Sequence, residues 1–336
     1  MSDWLPYPWQ MASWRQLLTP LEQGKMPHAL LLGGEKGSGK AWLLKGFARQ
    51  LLCEQPGEYP CGVCKSCRLF AAQTHPDFML LEPDGTFIKV EQIRATIQQL
   101  SQTAQMGGRR VVLIAPAEAM NTASSNALLK CLEEPGRDTV IMLLSHSPQR
   151  LLPTIRSRCW KLAVDKPGAI EAQQWLQTFV SDPQQCQRLL WLANGNPLQA
   201  RSYDEEDLLS LYALSLDAMQ RVMDGKNWLV LVEPIQQHGG ESKKNTPLEK
   251  NRAVENWLLI MQKLIWQMIR QTMSSSQAED MQSFAAVMAT DDFVKKAYAM
   301  LETVQQALAE VQSGANTNLS LLVESVLIRW QTLIKR

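Results

Sequence analysis

The chain has 336 residues, 45% of them apolar and 20% charged, a balance that excludes a mainly disordered protein. Lys plus Arg number 34 and Asp plus Glu 33, so the net charge of +1 excludes a partner held mainly by bulk charge, while a local basic strip stays allowed. No apolar stretch approaches the roughly 18 residues a membrane span requires. The start Met1-Ser2-Asp3-Trp4 lacks a charged and then apolar leader, so a cytoplasmic protein is expected, with seven cysteines not serving as a disulfide framework.

In chain order, residues 1–165 alternate apolar strands with helical patterns. His28 to Leu32 reads as a strand ending at Gly33-Gly34. A helix is expected from Lys40, because Leu43, Leu44, Phe47, Ala48, Leu51 and Leu52 recur at spacings of three and four. Asp77–Glu82, Val111–Ala115 and Val140–Ser145 read as further strands. Val90–Ala104 and Asn121–Glu134 read as helices, the second capped by Asn121 or Thr122 and stopped by Pro135. Strands separated by helices of this length imply an α/β domain with a parallel sheet and crossover helices.

After Asp165-Lys166-Pro167-Gly168 the strands stop. Ala169–Val180, Pro183–Ala193 and Pro197–Tyr203 read as three short helices. From about Leu208 three apolar stripes follow: Trp257, Met261, Leu264, Ile265 and Met268; then Val294, Ala297, Tyr298, Leu301, Leu308 and Val311; then Leu319, Leu322, Val323, Val326, Leu327, Trp330 and Leu333. Gln236–Glu249 and Ser274–Ser283 are the expected loops. The expected division is 1–165, a sheet domain; 166–207, a small helical domain; and 208–336, an all-α domain.

Cys53, Cys61, Cys64 and Cys67 follow the helix from Lys40 with the spacing C-x7-C-x2-C-x2-C. Four thiolates in so short a span can enclose one tetrahedral zinc ion, and Pro60-Cys61-Gly62 supplies the turn. Four sulfurs leave no open coordination position, so such a metal is structural. An iron–sulfur cluster ordinarily uses other spacings, and four unrelated thiols are the remaining alternative. Cys131, Cys159 and Cys186 stand alone and are expected as small buried apolar residues.

Gly34-Glu35-Lys36-Gly37-Ser38-Gly39-Lys40 satisfies most of the phosphate-loop pattern between a strand and a helix. Gly34, Gly37 and Gly39 let main-chain N–H groups converge on phosphate oxygens, and Lys40 could reach the terminal phosphates. The next residue is Ala41, so the hydroxyl that ligates magnesium is missing. The strand Val111–Ile114 is followed by Ala115-Pro116, where a metal-holding aspartate and a water-polarising glutamate would stand. ATP hydrolysis at this loop is not expected. Residual nucleotide binding and a ligand-free glycine turn both remain open.

Asn126-Ala-Leu-Leu-Lys-Cys-Leu-Glu-Glu-Pro135, Leu152-Pro-Thr-Ile-Arg-Ser-Arg-Cys159, the cysteine knuckle, Thr74-His75-Pro76-Asp77 and Ile93-Arg94 together resemble the clamp-loader branch of the AAA+ proteins. The match is dense over residues 25–160 and thin beyond 210. The resemblance implies an AAA+ sheet domain, a helical lid and a C-terminal collar. It also implies a member without motor function, because the gamma and tau motors keep the loop hydroxyl and the acidic pair. Leu198, in Gly195-Asn196-Pro197-Leu198, stands where a motor carries a lid arginine, and Ser145 where the family has a polar sensor. By the same resemblance Arg158 is an arginine finger directed at ATP-Mg2+ bound in an adjacent gamma or tau subunit; Arg156 lies outside the motif. The implied partners are gamma, tau and delta subunits and, through the complex, the beta sliding clamp and primed DNA, with no membrane. Two competing readings are an active gamma-type ATPase and a zinc-knuckle DNA-binding module using Lys65, Arg68, Arg109 and Arg110.

Overall fold

The computed structural model describes residues 4–106, 108–164, 166–239, 246–273, 279–313 and 318–334. Two compact units result, residues 1–174 and 175–336.

The first unit is built on a five-stranded parallel sheet of order β2-β3-β4-β1-β5. The strands are β1 (Ala29–Gly33), β2 (Phe78–Leu81), β3 (Arg110–Ile114), β4 (Thr139–Ser145) and β5 (Trp160–Ala163). The helices are α1 (Met11–Glu22), α2 (Lys40–Leu52), α3 (Lys65–Ala71), α4 (Val90–Leu100), α5 (Thr122–Glu133) and α6 (Pro153–Arg158); α7 (Ala169–Leu176) spans the division. β3 and β4 are buried along their whole length, which is why they read as unbroken apolar runs. Leu30, Leu32, Val111, Leu113, Met142 and Leu144 face one layer with α2, while Leu31, Val112, Ile114, Ile141 and Leu143 face the layer of α4, α5 and α6. In an open parallel sheet the carboxyl ends of the strands are where ligands bind. Here those ends present the loop after β1, Ala115 after β3 and Ser145 on β4.

α2 begins at Lys40 as expected, and Asn121 caps α5 by accepting from Ser124 N at 2.9 Å. α4 stops at Leu100, short of the expected Ala104. Beyond it the Asp77 carboxylate accepts from Gln105 N and Met106 N, both at 2.8 Å, and turns the chain. β5, α1 and α3 were not expected from the pattern.

The second unit is all helix among its described residues: α8 (Pro183–Leu192), α9 (Pro197–Glu205), α10 (Leu208–Met223), α11 (Val232–Gln236), α12 (Pro247–Thr272), α13 (Ala285–Met288), α14 (Phe293–Gln312) and α15 (Leu319–Ile334). The expected stripes form its core. Trp257, Met261, Leu264, Ile265 and Met268 of α12 meet Ala297, Leu301 and Val304 of α14 and Val323, Val326, Leu327 and Trp330 of α15. Tyr298 leaves its expected stripe. It is 45% exposed and meets Trp266 edge to face, with ring centroids 5.7 Å apart. The expected loop Gln236–Glu249 is shortened at its far end, because Thr246 and Glu249 form a reciprocal cap that starts α12. Within that loop Gln236 still belongs to α11, and residues 240–245 lie outside the described residues, as do residues 274–278 and the Leu333 side chain; the second expected loop gives way at Glu279 to a short 3-10 turn, Glu279–Phe284. No helix among the described residues is long and apolar enough to cross a membrane.

Candidate functional site

The phosphate-type loop leaves β1 at Gly33 and enters α2 at Lys40. Gly34, Gly37 and Gly39 all hold positive φ, and Gly39 caps the helix at +79°. A side chain at Gly39 is excluded twice, because a Cβ there would also lie 2.6 Å from Gln10 Nε2 and 2.8 Å from Tyr7 Cδ2. The N-terminal turn Pro8–Gln10 lies against the loop. Trp9 Nε1 and Gln10 Nε2 both donate to the Ser38 carbonyl, at 3.2 and 2.9 Å.

Lys40 is buried within the same arrangement. Its ammonium donates to the Glu35 carbonyl and, at 3.3 Å, to Ser38 Oγ. Burial pulls its pKa down to about 8, opposed by the charges of Glu118 and Glu35. Glu118, in the turn after β3, accepts from His146 N at 2.8 Å. Burial, and then the Lys40 charge, keep the His146 ring below its usual pKa. Ala41 and Ala115-Pro116 provide neither hydroxyl nor carboxylate at the metal-binding positions. Ser145 is fully buried and its Oγ accepts from Ser147 N at 3.1 Å, so it caps the turn after β4. No spacing rule points to Tyr7, Trp9, Gln10 or Glu118 at this loop, because their contacts are long-range.

The four clustered cysteines converge. Their sulfurs all lie within 4.8 Å of one another, and Cys61 Sγ and Cys67 Sγ are 4.0 Å apart. A tetrahedral zinc with Zn–S bonds of about 2.3 Å needs S···S edges of about 3.8 Å, so this donor set fits the ion. Main-chain N–H groups already point at the sulfurs: Cys61 N at Cys53 Sγ (3.4 Å), Cys64 N at Cys61 Sγ (3.4 Å) and Cys67 N at Cys64 Sγ (3.3 Å). Such bonds favour thiolates. Those from Cys64 and Val63 bring Cys61 down to about 6, whereas burial pushes Cys67 up to about 12 and Cys53 upward as well. Cys64 also caps α3.

The knuckle is tied to the sheet by a buried chain. His75 Nδ1 accepts from Asp77 N at 3.1 Å, so Nε2 carries the hydrogen and donates to Ser66 Oγ at 2.8 Å, which donates to the Leu52 carbonyl at 2.5 Å. This gives Thr74-His75-Pro76-Asp77 a structural role between α3 and β2. Arg110 is 5% exposed and donates to the Gln99 and Thr103 carbonyls. Burial therefore removes Arg110 from the phosphate contacts of the DNA-binding reading, leaving only Lys65, Arg68 and Arg109 toward the surface. Cys131, Cys159 and Cys186 are buried apolar residues as expected.

Arg158 ends α6 and is exposed, while Arg156 is half-buried. Ile155 and Cys159, both buried, fix the backbone around it. Its guanidinium donates to the Thr154 carbonyl at 3.0 Å and meets Glu133 Oε1 at 2.6 Å. In the second unit, Leu198 is half-buried in the first turn of α9, where Asn196 Oδ1 accepts from Leu198 N and Gln199 N, both at 3.1 Å. No cation is offered from that position.

The family model described as DNA polymerase III, delta subunit, matches residues 9–167. A DNA polymerase III subunit delta' from Pseudomonas aeruginosa is 37% identical over 97% of this chain and 98% of its own length. The subunit delta' of Escherichia coli is 29% identical over 96% of this chain and 94% of its own. Among solved structures, a DNA polymerase III gamma subunit-related protein from Thermotoga maritima is 17% identical, covers 95% of this chain and all of its own, and has a TM-score of 0.49.

Proposed function

Because the chain belongs to the delta' subunits of DNA polymerase III, a clamp-loader family, we propose that it is a catalytically silent subunit that completes the ATP site of a neighbour. The observation that carries this reading is a contrast between two parts of one sheet domain. Ala41 and Ala115-Pro116 stand where the magnesium-holding hydroxyl and the acidic pair are expected, and the lysine of the loop at Gly34–Lys40 is engaged by the loop itself. Arg158, by contrast, stands exposed on a short helix with a buried footing.

Phosphoryl transfer is accelerated by fixed positive charge over the transferring oxygens, and an arginine supplied from a second chain is worth about 10³–10⁵ in rate. Arg158 would supply that charge to ATP-Mg2+ held by an adjacent gamma or tau subunit. The partners of this reading are the gamma, tau and delta subunits; the assembly acts on the beta sliding clamp and primed DNA. Cys53, Cys61, Cys64 and Cys67 would hold zinc, which cross-links the end of α2 to α3 and takes no part in the chemistry. Residues 166–207 would be a lid and 208–336 a collar. The separate apolar cluster of Leu176, Val180, Cys186, Leu189 and Ala200 supports a small domain distinct from the larger helical core.

The test is Arg158→Ala in a loader reconstituted from purified subunits. DNA-stimulated ATPase and clamp loading should fall by at least tenfold with assembly intact. Wild-type rates in an intact assembly would remove the finger role. ATP turnover by the isolated chain, abolished by Lys40→Ala, would remove the silent one.

A further inference from the structure

Arg158 reaches the surface already held. The carboxylate that holds it belongs to Glu133, the last residue of α5. The two side chains rise from a common base. Cys131 and Leu132 precede Glu133, Ile155 and Cys159 flank Arg158, and all four are buried in one apolar cluster. The main chain under the pair is therefore fixed while its charged ends stand in solvent, Arg158 at 36% and Glu133 at 49% exposure. An ion pair this exposed is weak and readily exchanged. A phosphate offers the planar guanidinium several anionic oxygens and stronger charge-assisted bonds than one carboxylate oxygen does.

From this geometry we infer that Glu133 is a positioning residue for Arg158: it seats the guanidinium over the end of α5 until the γ-phosphate of a neighbour's ATP displaces it. The inference rests on the finger reading of Arg158. The seat keeps a long, flexible side chain near its working position and prevents it from pairing elsewhere. It also competes with the phosphate, so it sets the ATP concentration at which the neighbouring site fills and leaves turnover of the filled site to Arg158.

The experiment compares wild type, Glu133→Gln, Arg158→Ala and the double variant in the reconstituted loader, reading KM for ATP and kcat separately. Glutamine keeps the volume of the side chain at an exposed helix end, and a thermal melt of each isolated variant confirms folding. Glu133→Gln should lower KM by about two- to fivefold, equivalent to about 0.4–1 kcal/mol, with kcat within about twofold of wild type. On the Arg158→Ala background the same substitution should leave KM where it was. An unchanged or raised KM in Glu133→Gln overturns the seat, as does a lowered KM that persists without Arg158. Undiminished turnover in Arg158→Ala is a different result, and it removes the finger on which the seat depends.

Discussion

Lys40 occupies the place from which a phosphate-loop lysine reaches terminal phosphates, yet its charge is met by a main-chain carbonyl and a serine hydroxyl. Burial is the largest influence on it and pulls its pKa down to about 8, from the 10.5 of a solvated lysine. Between those values the unfolded chain binds more protons than the folded one, so stability rises with pH across the window, and the cost of burying the ammonium is fully present below pH 8. Lys40→Met removes that cost and adds a pH-independent loss of hydrogen bonds. The Tm difference, variant minus wild type, should be most positive at pH 7 and decline steadily toward pH 10.5. A difference that is flat across this range would show that the lysine is not held against its charge. The sequence marked Lys40 by its glycines. It could not show that Trp9 and Gln10 donate to Ser38 from 29 and 28 residues upstream, nor that Glu133 lies under Arg158.

Helix α2 carries Gly46 near its middle, where glycine costs about 1 kcal/mol relative to alanine. The reason is Trp4. A Cβ on Gly46 would lie 1.7 Å from Trp4 Cζ2, and the buried indole sits 4.9 Å from the Trp14 ring and 5.9 Å from Trp42. Gly46→Ala should therefore destabilise by about 1–3 kcal/mol through overpacking. Once Trp4→Ala has opened the space, the same change should instead stabilise by up to about 1 kcal/mol. Denaturant titration of the four proteins measures this inversion of sign as a coupling energy; additive effects would mean that the indole does not occupy the glycine's space. Which elements were legible follows from similar physics. β1, β3 and β4 are buried on both faces and flanked by turn residues, so their apolar runs are plain. β5 is an edge strand with only Leu162 buried and the seven-residue α3 is set by the Cys64 cap, so neither leaves a periodic signal; α1 does carry Trp14, Leu17, Leu18 and Leu21 at helical spacing, and its Pro20 lies near the end of that stripe. The chain from the end of α4 onward is held by groups from elsewhere, Arg110 on the Gln99 and Thr103 carbonyls and Asp77 on Gln105 N and Met106 N, which no local rule anticipates.

The whole molecule separates two kinds of stability. The unit 175–336 rests on a broad apolar core in which Trp257, Trp330 and Phe284 are almost completely buried. The unit 1–174 has two apolar layers on its sheet, but the excursion from Cys53 to Asp77 has little core of its own. It is held by four converging sulfurs and by the bonded chain Leu52–Ser66–His75–Asp77. A structural zinc in small isolated sites contributes roughly 10–16 kcal/mol, enough to order such a segment. Purified protein should contain about one equivalent of zinc. Removing it with a thiol-specific mercurial and a chelator should raise amide hydrogen exchange over residues 53–81, the knuckle and the edge strand β2. Exchange over residues 208–334 should stay as it was, because no sulfur ligand belongs to that unit. Cys61→Ser and Cys67→Ser should reproduce the pattern without chelator. If exchange rises equally in both units, or if no zinc is found, the cysteines are not a local clasp and the knuckle must be held by its hydrogen bonds and by the packing of Tyr59 on Trp14 and Phe70 on Phe78.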